Sequence, residues 1–133
     1  MKILFVDDDP AIRDLWKDQR EEAGIDIEDV KMYGCLYDAC YNMGVASLQC
    51  QFDIMVCDGE LPLHSKDSTP RYANGIVALQ EAKDCGIHHR IVVSGADGYC
   101  LRCVAEGLAT ETAKKEDVVA LVAEIVKAAA SDA

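Results

Sequence analysis

The chain has 133 residues, half of them apolar, with 28% charged residues and a formal charge of −11. That is the size and balance of one soluble folding unit rather than a disordered chain, and the negative charge disfavours binding to a phosphate backbone or an anionic membrane. The opening apolar run stops at Asp7, far short of an export signal, and no other run approaches the roughly 18–20 residues needed to span a bilayer, so a cytoplasmic location is expected. Seven cysteines, an odd number without an export signal, argue against a disulfide framework. Cys100 and Cys103 have a C-x-x-C spacing but no second pair, so the cysteines are expected to be small apolar fillers and incidental surface thiols.

Residues 2–6 form a short apolar run ending in Asp7, Asp8 and Asp9, which predicts a buried strand carrying acids at its C-terminal edge. Pro10 suits a first helical turn. Over residues 11–23, Ile12, Leu15 and Trp16 share one helical face, and Gly24 supplies the stop. A weaker strand is predicted within 26–33, then a helix over about 35–48 with Leu36, Ala39, Cys40 and Met43 on one face. Residues 52–57 predict a second buried strand, ending in Asp58. The stretch 63–74 has no period and is rich in turn formers, so it reads as a long loop of the kind that is often functional or mobile.

Helical spacing returns over 75–85 through Ile76, Leu79 and Gln80, with Gly86 as the stop. A strand over 90–93 ends in Ser94-Gly95, a helix covers about 99–106, and a short polar strand is expected over 110–113. The last helix, 116–130, carries Val118, Leu121, Val122 and Ile125 as a stripe. Five β-α units predict a doubly wound parallel sheet with helices on both faces and a site outside the carboxyl ends of the strands. Those ends are Asp7-Asp8-Asp9, Asp58, Ser94 and Lys114-Lys115.

Clustered carboxylates repel one another, and a hard divalent cation resolves the conflict. Taken alone, the three leading aspartates could equally cap the first helix. Asp58, ending a separate buried strand, favours the metal. A carboxylate can attack phosphorus to form an acyl phosphate when cations offset the gathering charge; Ser94 and a lysine can then meet the phosphoryl oxygens.

Ile3-Leu4-Phe5-Val6-Asp7-Asp8-Asp9-Pro10-Ala11-Ile12-Arg13, Phe52-Asp53-Ile54-Met55-Val56-Cys57-Asp58-Gly59-Glu60-Leu61-Pro62 and Ile91-Val92-Val93-Ser94-Gly95 together resemble the response regulator receiver domains of two-component signalling, in the stand-alone form of chemotaxis regulators. The resemblance covers essentially the whole chain and implies a (βα)5, flavodoxin-like receiver architecture. It implies Mg²⁺ or Mn²⁺ at Asp7, Asp8, Asp58 and the backbone carbonyl of Glu60, with Asp8 a direct ligand and Asp7 acting mainly through water. It places the phosphoacceptor at Asp58, the switch hydroxyl at Ser94 and the lysine at Lys114, with Lys115 as the alternative. The implied partners are a sensor histidine kinase or phosphotransfer protein and a downstream protein target, and the only catalysis implied is the domain's own phosphorylation and dephosphorylation.

Three departures from the family pattern stand out. Lys114 is followed by Lys115 rather than proline, the position of the family's switching aromatic falls near Glu111, and residues 63–73 intrude before Asn74-Gly75. The inserted segment is expected to be a lid or partner-contact loop whose shortening leaves stability nearly unchanged. Because the sequence stops after the fifth helix, either output through protein contact is expected or the sequence is a fragment of a longer chain. The alternatives are a receiver-like binding module without phosphorylation, a haloacid dehalogenase-type phosphatase with Asp7 as nucleophile, and a flavin-binding domain. The last is disfavoured by acids where a phosphate would need a Ser, Thr and Gly loop.

Overall fold

A computed structural model describes residues 1–44, 50–66, 69–94 and 97–132. The elements alternate in chain order: β1 (Ile3–Val6), α1 (Pro10–Glu22), a short 3-10 turn (Ile27–Asp29), β2 (Val30–Tyr33), α2 (Leu36–Gly44), β3 (Ile54–Asp58), α3 (Tyr72–Asp84), β4 (His89–Val93), α4 (Asp97–Ala105), β5 (Glu111–Ala113) and α5 (Val118–Ser131). All strand pairs are parallel, in the order β2-β1-β3-β4-β5. Burial explains that order. The inner strands β1 and β3 are buried at every position, as a strand covered on both faces must be, whereas β2 and β5 carry Lys31 and Thr112 to the exposed edges.

Strand alternation divides the core in two. Leu4, Val6, Met55, Cys57 and Val92 point to the face covered by α2, α3 and α4, while Ile3, Phe5, Ile54, Val56, Ile91 and Val93 point to the face covered by α1 and α5. Phe5 and Trp16 pack at 5.2 Å between ring centroids on the second face, and the Trp16 indole N–H donates to the Lys115 carbonyl at 2.9 Å. Buried or half-buried thiols gather on the first face: Cys57, Cys100 and Cys103 are buried within it, and Cys40, Cys50 and Cys85 pack against it. Burial pushes Cys40 up to about 11 and Cys57 well above its ordinary value, so these thiols stay protonated and pack as small apolar groups.

Two sequence expectations change. Helix α3 begins at Tyr72 rather than Gly75, and its buried face is Gly75, Ala78, Leu79 and Ala82; of the residues read at helical spacing Leu79 is buried, whereas Ile76 is 38% exposed and Gln80 is exposed. The earlier start rotates the packed stripe, because Gly75 is pressed against the Gly59 carbonyl so closely that any Cβ there would collide with it. The second expected helix is described only to Gly44, and its expected end at Leu48 lies outside the described residues.

The second change concerns the inserted segment. At its base Leu61 and Arg71 exchange two backbone hydrogen bonds, at 3.2 and 3.0 Å, as an isolated antiparallel bridge. The Pro62 and Leu63 carbonyls accept the Leu36 and Tyr37 N–H groups, each at 3.0 Å. Those are among the orphan donors at the start of α2, so the segment supplies that helix with its cap. Leu63, His64, Ser65, Lys66, Thr69 and Pro70 are exposed, while Asp67 and Ser68 lie outside the described residues. The segment expected to be a lid or partner-contact loop is thus tied at its base to α2 and to the start of α3.

Candidate functional site

The strand order reverses between β1 and β3, and this is where an open parallel sheet leaves a crevice. Val6 pairs with Cys57 in the β1–β3 register, so Asp7 and Asp58 emerge side by side. Asp58 pairs with Val93 across β3–β4, and Val93 with Ala113 across β4–β5, which puts Ser94 and the lysine pair on the same edge.

The three leading aspartates have different jobs. Asp9 is the N-cap of α1, its Oδ1 accepting the Ala11 N–H at 2.9 Å. Asp7 is wholly buried, with Oδ1 accepting the Asp9 N–H at 2.9 Å and its carbonyl accepting Arg13 Nη1 at 2.6 Å. Asp7, Asp8 and Asp58 each offer a carboxylate oxygen within 4.8 Å of the others, the one such group of three or more metal-ligating side chains among the described residues.

Lys115 rather than Lys114 completes the cluster. Its Nζ stands 3.0 Å from Asp7 Oδ2 and 3.3 Å from Asp58 Oδ2, whereas Lys114 is exposed. The physical reason is the Trp16 anchor: with the Lys115 carbonyl held by the indole, the turn after β5 directs the second lysine across the sheet edge. The sequence carried no sign of this contact because its partners lie 99 residues apart.

Electrostatics in the cluster are unbalanced toward negative charge. Burial, reinforced by Asp7, raises Asp58 to about 6, against the pull of Lys115 and the Glu60 N–H. Burial likewise raises Asp7, with the Asp9 N–H and Lys115 opposing it. Burial also works against the Lys115 ammonium, but the two carboxylates outweigh it and raise its pKa. Asp7 Oδ2 has no hydrogen-bond partner despite being buried; the ammonium lies near it without the alignment of a hydrogen bond. One lysine facing three carboxylates and an orphaned buried oxygen are what a divalent cation with oxygen ligands would satisfy, so the residues present fit Mg²⁺ or Mn²⁺. Glu60 donates its N–H to Asp58 Oδ1 at 3.2 Å.

Around this centre stand two residues that sequence reasoning did not single out. Tyr72 and Tyr99 pack with ring centroids 4.5 Å apart, and the Tyr99 hydroxyl donates to the Tyr72 carbonyl at 3.4 Å. Glu60 raises the Tyr72 phenol pKa first, burial adds to the rise, and Ser94 opposes it. No spacing rule joins these residues, since the loop after β3 and the start of α4 meet only in the folded chain. Gly95, read as the small residue after Ser94, lies outside the described residues.

Comparison with solved structures decides the fold. The chain superimposes on a response regulator receiver domain from Rhodospirillum rubrum with a TM-score of 0.71 at 12% identity, covering 96% of this chain and 94% of that one. It is similarly close to the signal receiver domain of a LuxO repressor protein from Vibrio parahaemolyticus, with a TM-score of 0.69, 17% identity, and 98% and 93% coverage. The fold is the response regulator receiver fold. A de novo designed Rossmann 2x3 protein also matches, with a TM-score of 0.67, 17% identity, and 95% and 89% coverage. A receiver-like fold thus does not itself carry function, which must be argued from the site. No protein-family model and no curated protein matches the chain. Among the described residues no helix is long and apolar enough to cross a membrane.

Proposed function

We propose that this chain is a phosphoacceptor receiver domain of a two-component phosphorelay, in which Mg²⁺-dependent phosphorylation of Asp58 switches protein contacts. The observation that carries the reading is the pairing at one sheet edge of a buried strand-end carboxylate, two further aspartates and a lysine shared between Asp7 and Asp58. Asp58 Oδ attacks phosphorus, and the bond from phosphorus to the donor's leaving atom breaks, leaving an acyl phosphate. Mg²⁺ or Mn²⁺, held by Asp7, Asp8 and Asp58 with the Glu60 carbonyl, would supply positive charge beside the phosphoryl oxygens. Lys115 exchanges part of its contact with the carboxylates for a phosphoryl oxygen, and Ser94 donates to another. Asp7 is a poor alternative nucleophile because it is wholly buried and held by Asp9, Arg13 and Lys115.

The donor in this reading is a sensor histidine kinase or phosphotransfer protein, and the target is a second protein. The chain catalyses only its own phosphorylation and dephosphorylation. Counting back from Lys115 moves the family's switching aromatic from Glu111 to Thr112, whose hydroxyl donates to the Val92 carbonyl at 3.2 Å. Neither residue has a ring, so output works through different contacts. The test is intact mass after incubation with acetyl phosphate. One phosphoryl group should be gained with Mg²⁺ and none with a chelator, and Asp58→Asn should abolish the gain. Equal labelling of Asp58→Asn and the parent would refute the assignment.

A further inference from the structure

The chain carries 24 acidic residues against 13 lysines and arginines, so the charged lining of an arbitrary surface groove should be mostly acidic. One groove reverses that balance. Between α1 and the outer edge of β2, a cleft of about 330 Å³ is lined by Arg13, Lys17, Arg20 and Lys31, with no acid among the described residues that border it. The rest of its lining is apolar. Val30 and Met32 are half-buried there, and Ile27, in the turn before β2, is 68% exposed, the most exposed large apolar side chain among the described residues.

The cations are held ready rather than spent. Arg13, Lys17 and Arg20 follow helical spacing on α1 and so share one face over about 10 Å. Arg13 Nη1 donates to the Asp7 carbonyl at 2.6 Å and Arg20 Nη1 to the Ile25 carbonyl at 2.7 Å. These bonds fix the two guanidinium groups and leave their other N–H donors for an incoming acceptor. Lys17 meets only Asp14, at 3.8 Å with both side chains exposed, a pair that contributes little and exchanges readily. The acids of the turn are engaged elsewhere: Asp29 pairs with Lys2 at 2.8 Å, and it lines a separate cavity with Glu28. Beyond β2 the sheet has no further strand among the described residues, so the groove opens along a free sheet edge.

We propose that this groove docks a short acidic segment of a partner protein, with carboxylates on the α1 cations and Lys31 and apolar side chains on Ile27, Val30 and Met32. Charge complementarity selects that occupant. A nucleic acid or an anionic membrane presents charge over a wide surface and would meet the chain's net −11 as well as the groove, and a second copy brings the same excess of negative charge. A short segment touches the groove alone. A small inorganic anion would use the cations but leave the apolar lining exposed. Arginine clusters are a recurring means of reading acidic motifs, and apolar anchors supply the contact area that charge alone lacks. The docking is independent of phosphoryl transfer and does not rest on the receiver reading.

The experiment follows backbone amide shifts of the full, unphosphorylated chain as a short capped peptide of glutamate and leucine is added, with glutamine–leucine and glutamate–serine peptides as controls. Shifts should centre on residues 13–20 and 27–32, saturate, and weaken as salt is raised. Lys17→Glu combined with Lys31→Glu should weaken binding about tenfold or more, and Ile27→Ser about threefold or more. All three side chains are exposed, so the variants should keep the parent's amide spectrum away from the groove. Both control peptides should bind more weakly than the glutamate–leucine peptide. Equal binding of the glutamine–leucine peptide, unchanged affinity in the lysine variant, or no binding by the folded parent would overturn the proposal. So would self-association of the chain through this face, or tighter binding of an oligonucleotide or an anionic vesicle at the same residues. None of these readouts involves Asp58, so they stand whichever way the phosphorylation test falls.

Discussion

At the scale of single residues, the site is governed by excess negative charge. Asp58 is 6% exposed and its pKa is raised from 3.8 to about 6, by burial first and Asp7 second. The folded state therefore binds this proton more tightly than the unfolded chain does. The metal-free protein should lose roughly 3 kcal/mol of stability as pH rises from about 4 through 6 and then level off. Denaturant midpoints measured across that range without metal should show the decline, and Asp58→Asn should remove most of it. A flat profile in the parent would contradict the charge account. Mg²⁺ should recover stability chiefly above pH 6, where protons no longer compete for the carboxylates. The lysines give a second prediction. Lys115→Ala should suppress Mg²⁺-dependent labelling of Asp58 by about tenfold or more, because its Nζ is shared by Asp7 and Asp58, while Lys114→Ala should label as the parent does. The reverse order in a labelling time course would return the role to Lys114. Aspartates 7, 8 and 58 were legible in the sequence because strand-end acids converge by topology alone. The choice between adjacent lysines was not, because it depends on the turn geometry set by Trp16.

At the scale of elements, most strands and helices followed from hydrophobic period, and the misreadings have physical causes. Spacing set Ile76, Leu79 and Gln80 on one helical face, whereas the packed face, with Gly75 close to Gly59, is Gly75, Ala78, Leu79 and Ala82. Lack of period made residues 63–73 look dispensable, since a backbone carbonyl that caps a distant helix leaves no mark on composition. The structure revises the expected cost of shortening this segment. Deleting residues 65–69 keeps Pro62, Leu63 and Arg71, so it should cost less than about 1 kcal/mol of loop closure. A deletion that also removes Pro62 and Leu63 strips two acceptors from α2 and should cost about 1–3 kcal/mol more. Urea denaturation of the two deletions checks this, and equal midpoints would show that the caps contribute little. Trp16 gives the complementary test on the other face. Trp16→Phe retains an aromatic ring against Phe5 but leaves the Lys115 carbonyl without its donor. It should lower stability by about 1–3 kcal/mol and weaken labelling in parallel with Lys115→Ala. Unchanged labelling would mean that the turn holds Lys115 without the indole.

At the scale of the whole molecule, the parallel five-stranded sheet followed from the five β-α units, while its order came from the structure, with buried β1 and β3 inside and the more polar β2 and β5 at the edges. The same order brings Asp7 and Asp58 together at the switch point, which is why a sequence of modest length exposed so much of its site. What stayed hidden are the contacts between distant elements, Tyr72 with Tyr99 and Trp16 with Lys115, which no local pattern encodes. A designed protein with a similar fold shows that architecture alone does not settle the chemistry. The decisive question is which carboxylate receives the phosphoryl group. Borohydride reduces an acyl phosphate to an alcohol, so labelling with acetyl phosphate and Mg²⁺ followed by reduction and peptide mapping reads the acceptor directly. The account predicts homoserine at position 58, dependent on Mg²⁺ and absent without the phosphodonor; homoserine at position 7, or at neither position, would contradict it.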